Sequence, residues 1–181
     1  MNNFKSIGKG CMISSFARFY NPEAIEIGDN VRIDDFCIIS GGSGIKIGSH
    51  IHIACYVSMF GGSGITLKNF SNVASGSILL SESDDFLGYS LIGPQIPRKY
   101  KPVYHKGPIV LYEHVILGVR TIVLPNVTIG AGTAVGAGSL VNKDLDCWSV
   151  YAGVPAKYIK NRQLDVLTLE QEFLKEWESK K

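Results

Sequence analysis

The sequence predicts an all-β solenoid of stacked triangular coils, and three observations carry that expectation. Glycine is over-represented at 20 of 181 residues, about 11% against a usual share near 7%. The segment Gly-Gly-Ser-Gly-Ile occurs at 41–45 and again at 61–65, and the residues before each copy match in kind: Ile27-Gly28-Asp29-Asn30-Val31-Arg32 becomes Ile47-Gly48-Ser49-His50-Ile51-His52. Inside that twenty-residue spacing lies a shorter one, an aliphatic residue at every sixth position.

Residues 1–24, with Phe4, Phe16, Phe19 and Tyr20, read as an opening cap. The aliphatic ladder then runs through Ile27, Ile33 and Ile39, through Ile47, Ile53 and Met59, and through Leu67, Val73 and Leu79. It resumes without a gap as Leu111, Leu117, Val123, Ile129, Val135 and Val141, with Val115, Thr121, Val127, Thr133 and Ser139 at the fifth places. A helix would repeat its apolar residues about every 3.6 positions and a half-buried strand every second one. A period of six fits neither and asks for short extended pieces broken by regular turns, where Gly and Asn accept positive φ. Three hexads close one coil of about eighteen residues. The two Gly-Gly-Ser-Gly insertions lengthen one corner by two residues; lacking a Lys and Ser or Thr that open a helix, they do not read as a phosphate cradle.

The repeat stops at Ser83 and resumes near Ile109. The segment 83–108 holds four of the seven prolines together with Tyr89, Arg98, Lys99, Tyr100, Lys101, Tyr104, His105 and Lys106, a composition that favours a formed arm over a slack linker. The expected organisation is thus a single domain over 1–181, with coils at 25–82 and 109–160, an inserted loop at 83–108 and a C-terminal helix at 161–181. Thr168-x-x-Gln171 reads as the helix's capping box. Leu169, Phe173, Leu174 and Trp177 share one face, expected to close the end of the solenoid.

Composition excludes other classes. Lys and Arg number 18 against 16 Asp and Glu, a formal charge of +2, too balanced for a dedicated nucleic-acid binder. The 45% apolar and 19% charged fractions belong to a globular chain. Apolar runs such as Ile78-Leu79-Leu80 are too short to span a bilayer, and the polar start Met-Asn-Asn-Phe-Lys is not a signal peptide, so a soluble cytoplasmic protein is expected. Cys11, Cys37, Cys55 and Cys147 lack C-x-x-C spacing and read as free thiols.

The run Ile129-Gly-Ala-Gly-Thr-Ala-Val-Gly-Ala-Gly-Ser-Leu-Val-Asn-Lys-Asp, followed by Tyr151-Ala-Gly-Val-Pro-Ala-Lys157, resembles the closing signature of the hexapeptide-repeat acyltransferases. The resemblance spans residues 25–160 and implies a left-handed parallel β-helix. Within that superfamily the chain looks like the galactoside, maltose and O-antigen or capsule sugar O-acetyltransferases, which implies a homotrimer with acetyl-CoA in clefts between prisms and an inserted loop reaching toward a neighbour. Ile116, Ile122 and Leu140, outside the core ladder, agree with a face that another subunit covers.

The resemblance implies a catalytic His at the start of the inserted loop, in a Ser-His-x-His-Asp-Phe context. Here the chain reads Ser81-Glu82-Ser83-Asp84-Asp85-Phe86, so both His places hold acids. Three routes follow: Asp84 or Glu82 is a carboxylate base, a His from elsewhere supplies it, or the acceptor is an amine that needs only positioning. Among the histidines, His52 falls in one column with Arg32 and Asn72 at twenty-residue spacing, a candidate acceptor wall. The expected catalytic residues are therefore Asp84, His52 and Glu82, and Arg32, Asn72, Asp85, Tyr89 and His105 are expected on the acceptor. His50 and His52 could point the same way but lack a third ligand, so no metal is expected; His114 reads as a surface corner.

Small residues Gly118, Ala137 and Gly138 would let pantetheine lie close to the prism, and the resemblance places Val154, Pro155, Lys157 and Arg162, with Lys160, at the nucleotide end of CoA. The leading expectation is an acetyl-CoA-dependent transferase acting on a sugar or nucleotide-sugar hydroxyl in surface-polysaccharide assembly. The alternatives are an amino-sugar N-acetyltransferase and a catalytically inactive trimeric scaffold.

Overall fold

Short strands joined by tight corners stack into a three-sided prism. The computed structural model describes residues 3–179; Met1 and Asn2 of the expected cap, and Lys180 and Lys181 of the expected helix, lie outside the described residues. Among the described residues the three faces are sheets of six, eight and six strands, a β-solenoid of about seven coils with the left-handed winding of its structural neighbours. The first face stacks Ser6–Ile7, Ile25–Ile27, Ile45–Ile47, Ile65–Leu67, Ile109–Leu111 and Thr128–Ile129. The second runs from Met12–Ile13 through Arg32–Ile33, His52–Ile53, Asn72–Val73, Ile116–Leu117 and Ala134–Val135 to Ser149–Ala152. The third stacks Arg18–Tyr20, Ile38–Ser40, Ser58–Phe60, Ile78–Leu80, Ile122–Val123 and Leu140–Val141.

Pairing within each face is parallel and in register with the repeat, so Ile25 sits on Ile45, Ile45 on Ile65 and Ile65 on Ile109. The ladder aliphatics point inward: Ile27, Ile47, Leu67, Leu111 and Ile129 are buried in one continuous core. Each fully buried aliphatic of this kind contributes about 1.5–3 kcal/mol. Three fifth-place hydroxyls are buried and bonded to carbonyls of the turns: Ser77 Oγ donates to Gly118 O at 3.1 Å, Thr121 Oγ1 to Gly118 O at 2.8 Å and Ser139 Oγ to Gly136 O at 2.6 Å.

The first strands show that residues 3–24 form a coil in register with the rest: Ser6 pairs with Glu26, Met12 with Arg32 and Arg18 with Ile38. The end is plugged by Phe4 packed edge-on against Phe19, with ring centroids 4.9 Å apart.

The other end differs from the sequence expectation. The chain over Lys157–Asn161 turns back and pairs antiparallel with Ser149–Ala152, covering the last edge of the second face. The helix α1 therefore begins only at Asp165 and runs to Glu178, and Leu164 takes the cap position without a side-chain bond. Thr168 lies inside the helix, so the capping box is not used. Nor does α1 close the solenoid's end. It lies along the corner between the first and second faces, where His50, Phe70, His114 and Trp148 stack one coil above another. Phe173 meets both His50 and Phe70 edge-on, and Trp177 meets His50. This ladder offers α1 an apolar surface, whereas the last coil is already covered by its own return strand.

Candidate active site

The inserted segment leaves the corner between the third and first faces through a small antiparallel pair, Glu82–Ser83 with His105–Lys106. Three carboxylates sit at its root. Glu82 accepts from Ser63 Oγ at 2.7 Å and from Tyr104 OH at 3.2 Å. Burial, followed by the charge of Glu82, raises the Tyr104 hydroxyl above its usual range, so it stays a donor. Asp84 pairs with Lys101 Nζ at 2.5 Å and accepts from Gly93 N at 2.8 Å; Lys101 first and the Gly93 amide second hold its carboxyl below the ordinary aspartate range. Asp85 is buried and accepts from the amides of Leu87, Tyr89 and Ser90. The bond from the Leu87 amide is the leading cause of its own lowered pKa, and His105 adds to it. Both aspartates are therefore anionic at neutral pH and hold the arm's path.

Beyond this root the arm forms a cavity of about 350 Å³ lined by Pro94, Ile96, Arg98, Lys101 and Tyr104. Arg98 and Lys101 lie against the Tyr104 ring at 5.2 and 4.9 Å. Its tip exposes Phe86, Leu87, Tyr89, Leu91 and Ile92.

The second face carries a separate polar group. Arg32, His52 and Asn72 are direct register partners on adjacent strands. The carboxylate of Asp34 joins two of them: Oδ2 lies 2.7 Å from His52 Nε2, and Oδ1 accepts from Arg32 Nε at 2.7 Å. Despite a burial penalty, His52 and then Arg32 hold the Asp34 carboxyl below its ordinary range. Asp34 is absent from the sequence expectation, though its position two residues beyond Arg32, just past the end of strand Arg32–Ile33, is a signal for shared facing. His50 occupies the first-to-second corner at φ 58° and stacks on Phe70, so it and His52 do not converge; the described residues contain no cluster of His, Cys, Asp and Glu suited to a metal. His114, expected at a surface corner, is at a corner but buried at 7% exposure, with Nε2 2.9 Å from Glu170 Oε2 of α1.

Most of the expected donor residues fall along the corner between the second and third faces. Ala54, Ala74, Gly118, Gly136 and Ala152 follow one another coil by coil through their backbone bonds. A Cβ on Gly118 would stand 2.6 Å from Ala137 N, so close stacking itself requires glycine there; at Gly138, φ 68°, a Cβ would meet open space. Val154 is exposed, and Lys157 pairs with Ala152 at the same edge. Arg162 lies at the other edge of the second face, donating through Nη1 to His114 O at 2.8 Å and Gly132 O at 2.9 Å.

Within one chain, then, the carboxylate root stands at the third-to-first corner, away from the small-residue corner, whereas the Arg32–Asp34–His52 group adjoins that corner, Asp34 being the rung below Ala54. A three-sided coil with one projecting arm and a stretch of small residues along one corner defines the hexapeptide-repeat class of acyltransferase. No family model matches the chain. It is 40% identical over 171 residues to the dTDP-4-amino-4,6-dideoxy-D-glucose acyltransferase of Escherichia coli, covering 94% of this chain and 88% of that protein. Among solved structures it superposes on AntD, an N-acyltransferase from Bacillus cereus in complex with dTDP and 3-hydroxybutyryl-CoA, with a TM-score of 0.93 and 48% identity over 97% of this chain and 92% of that one. The galactoside acetyltransferase in complex with coenzyme A, 21% identical with a TM-score of 0.61 over 88% of this chain and 66% of that one, shares the fold. The chain belongs to the sugar N-acyltransferases of the hexapeptide-repeat family. It is an acyltransferase, and the relatives fall on the amino-group alternative rather than on hydroxyl transfer. Among the described residues no helix is long and apolar enough to cross a membrane.

Proposed function

We propose that this chain transfers an acyl group from acyl-CoA to the 4-amino group of a dTDP-linked 4-amino-4,6-dideoxy sugar, in the cytoplasm, as a step of surface-polysaccharide assembly. The observation that carries this reading is a complex of a variant of the Bacillus cereus enzyme with dTDP-4-amino-4,6-dideoxyglucose and coenzyme A, 49% identical to this chain with a TM-score of 0.92. The acids at both expected histidine places, Glu82 and Asp84, support it from the sequence side. A neutral amine brings its own lone pair and needs positioning more than a base.

Solved variants of the Bacillus cereus enzyme replace a serine and an aspartate ten positions further on. In this chain Ser75 and Asp85 are the Ser–Asp pair at that spacing. Ser75 lies at the second-to-third corner, its carbonyl accepting from Arg120 N in the coil above, and so stands below the stretch of Gly118, Ala137 and Gly138 where pantetheine would run. The carboxylate of Asp85 has about four acceptor positions and three are taken by amides, which leaves one for an acceptor amine. In the reaction the amine nitrogen attacks the thioester carbonyl, Ser75 Oγ donates toward the developing oxyanion, the C–S bond breaks and CoA leaves as thiolate, and the nitrogen loses a proton to water or the thiolate. Lys157, at the exposed Val154–Pro155 exit, suits the CoA phosphates, and Arg98 and Lys99 on the arm suit the nucleotide diphosphate. Tyr89 and His105 line the acceptor side in this reading, and the Arg32–His52–Asn72 wall orients polar groups of a bound ligand.

Ser75 lies in the corner before the third-face strand Ile78–Leu80 and Asp85 beyond the corner after it, with extended chain from about residue 77 to residue 83, roughly 20 Å, between them. A small amino sugar does not reach across that distance, so the site is shared between copies of the chain in a homotrimer. The exposed arm tip and the half-exposed Ile116 and Ile122 supply apolar surface for such contacts. The test is thiol release from acetyl-CoA and 3-hydroxybutyryl-CoA, measured with dTDP-4-amino-4,6-dideoxyglucose and with dTDP-glucose. Release that requires the amino sugar supports the reading; equal release with dTDP-glucose restores the hydroxyl acceptor, and CoA binding without release favours a scaffold.

A further inference from the structure

The corner between the second and third faces carries a feature that none of the residues assigned above uses. Phe16, Phe36 and Tyr56 occupy successive coils there, with ring centroids 5.8 and 5.2 Å apart, and the last two rings are stacked at 19°. They are 66, 49 and 60% exposed. Phe36 and Tyr56 hold φ of 60° and 62°, a conformation uncommon for bulky residues. The next rung is Gly76, at φ 69°, so among the described residues no ring continues the stack beyond Tyr56. Above it comes Arg120, whose Cγ lies 3.2 Å from where a Gly76 Cβ would be. Its guanidinium makes no hydrogen bond or ion pair among the described residues. Over Arg120 stands Gly138, again opening on free space.

The first-to-second corner supplies an internal comparison. Its ladder also contains a glycine rung, Gly132, and there the Trp148 ring lies over the glycine, 2.3 Å from where a Cβ would be; α1 then covers the ladder through Phe173 and Trp177. One ladder is thus completed by the chain itself. The other ends in an open aromatic face beneath an unpaired cation.

We propose that Tyr56, Gly76 and Arg120 form a subsite for a phosphorylated nucleotide, with the base on the outer face of Tyr56 and a phosphate oxygen on Arg120. The proposal rests on the acyltransferase reading, which brings two ligands of this chemistry: the thymidine diphosphate of the acceptor and the phosphoadenosine end of CoA. Two coils at about 4.8 Å each separate the Tyr56 and Arg120 rungs, and a glycine between them leaves the width of a planar ring once the flexible Arg120 stem swings aside. Base stacking on an aromatic face and a charge-assisted guanidinium–phosphate bond are complementary to such a ligand and to few others. A sister chain packed on the ladder would bury Arg120 without a charge partner unless it supplied a carboxylate.

The experiment is calorimetric titration of dTDP and of CoA, separately, into the full-length protein and its Tyr56→Leu and Arg120→Gln variants, with sedimentation velocity on each. Tyr56→Leu keeps apolar bulk and removes the stacking face. One or both nucleotides are expected to bind roughly 10- to 100-fold more weakly to it, and more weakly to Arg120→Gln, at unchanged sedimentation; the nucleotide affected identifies the occupant. Unchanged affinity for both nucleotides in both variants overturns the subsite. So does weakened binding accompanied by altered sedimentation, which makes the ladder a subunit contact. A wild-type protein that binds neither nucleotide sinks the proposed reaction itself, a result distinct from either variant outcome.

Discussion

Gly132 and Gly138 hold nearly the same backbone conformation, φ 70° and 68°, yet only one of them is packed. A Cβ at residue 132 would enter the Trp148 ring, whereas at residue 138 it would meet nothing within 4 Å. Gly138→Ala should therefore carry only the left-handed backbone penalty, about 1–2 kcal/mol. Gly132→Ala should lose that and the aromatic stack besides, about 3–5 kcal/mol in all, with the difference read from urea denaturation of the two variants. Equal losses would mean that the ladder contributes nothing beyond backbone strain. At this scale the sequence was readable wherever its period reached. The Arg32–His52–Asn72 column follows from the twenty-residue spacing and pairs as expected. The ties of Asp84 to Lys101 and of Glu82 to Tyr104 were not readable, because those partners lie in an aperiodic loop whose path is set by tertiary contacts. Asp34 lies in the repeat itself, but the rungs above it, Ala54 and Ala74, carry no polar side chain, so the column gives no sign of a carboxylate site.

Among the elements, the arm depends on ionised carboxylates. The Lys101 pair with Asp84, and the amides of Leu87, Tyr89 and Ser90 on Asp85, lower both acids' pKa values in the folded state. A depressed folded pKa gives stability that is present above the unfolded aspartate value, about 3.9, and is lost as pH falls through the folded value. Acid-stable pepsin should thus cut within residues 86–104 increasingly as pH drops from about 4 toward 2, before the coils lose their circular-dichroism signal. Simultaneous loss of arm and coils would show that the arm is not separately held. The stacking of the coils was legible from the hexads, since corners and inward aliphatics obey the same six-residue rule; that residues 3–24 already form such a coil was not, because their repeat is less regular. The start of α1 was not, because Lys157–Asn161 adds an antiparallel strand that no repeat announces, and a Thr168–Gln171 spacing inside a helix looks the same as one at its start.

Across the whole molecule, neighbouring chains complete each other's sites in the proposed reaction. Ser75→Ala and Asp85→Asn should each lower turnover by roughly 100-fold alone. Co-assembled in equal amounts, the two variants should recover roughly a quarter of wild-type activity, the fraction of interfaces that random mixing supplies with one intact serine and one intact aspartate. No recovery in mixed assemblies would place both residues in a single chain's site. The fold was legible in the sequence at this scale, but the choice between hydroxyl and amine was not: Glu82 and Asp84 removed the expected base without naming its replacement, and the relatives decided it.

The most direct test is the identity of the bond formed. Incubated with carbonyl-labelled acetyl-CoA and dTDP-4-amino-4,6-dideoxyglucose, the protein should yield a product whose labelled carbonyl couples to nitrogen at C4 of the sugar in NMR spectra. A labelled ester on a ring hydroxyl, or an intact thioester in a mixture where both ligands are bound, would contradict it.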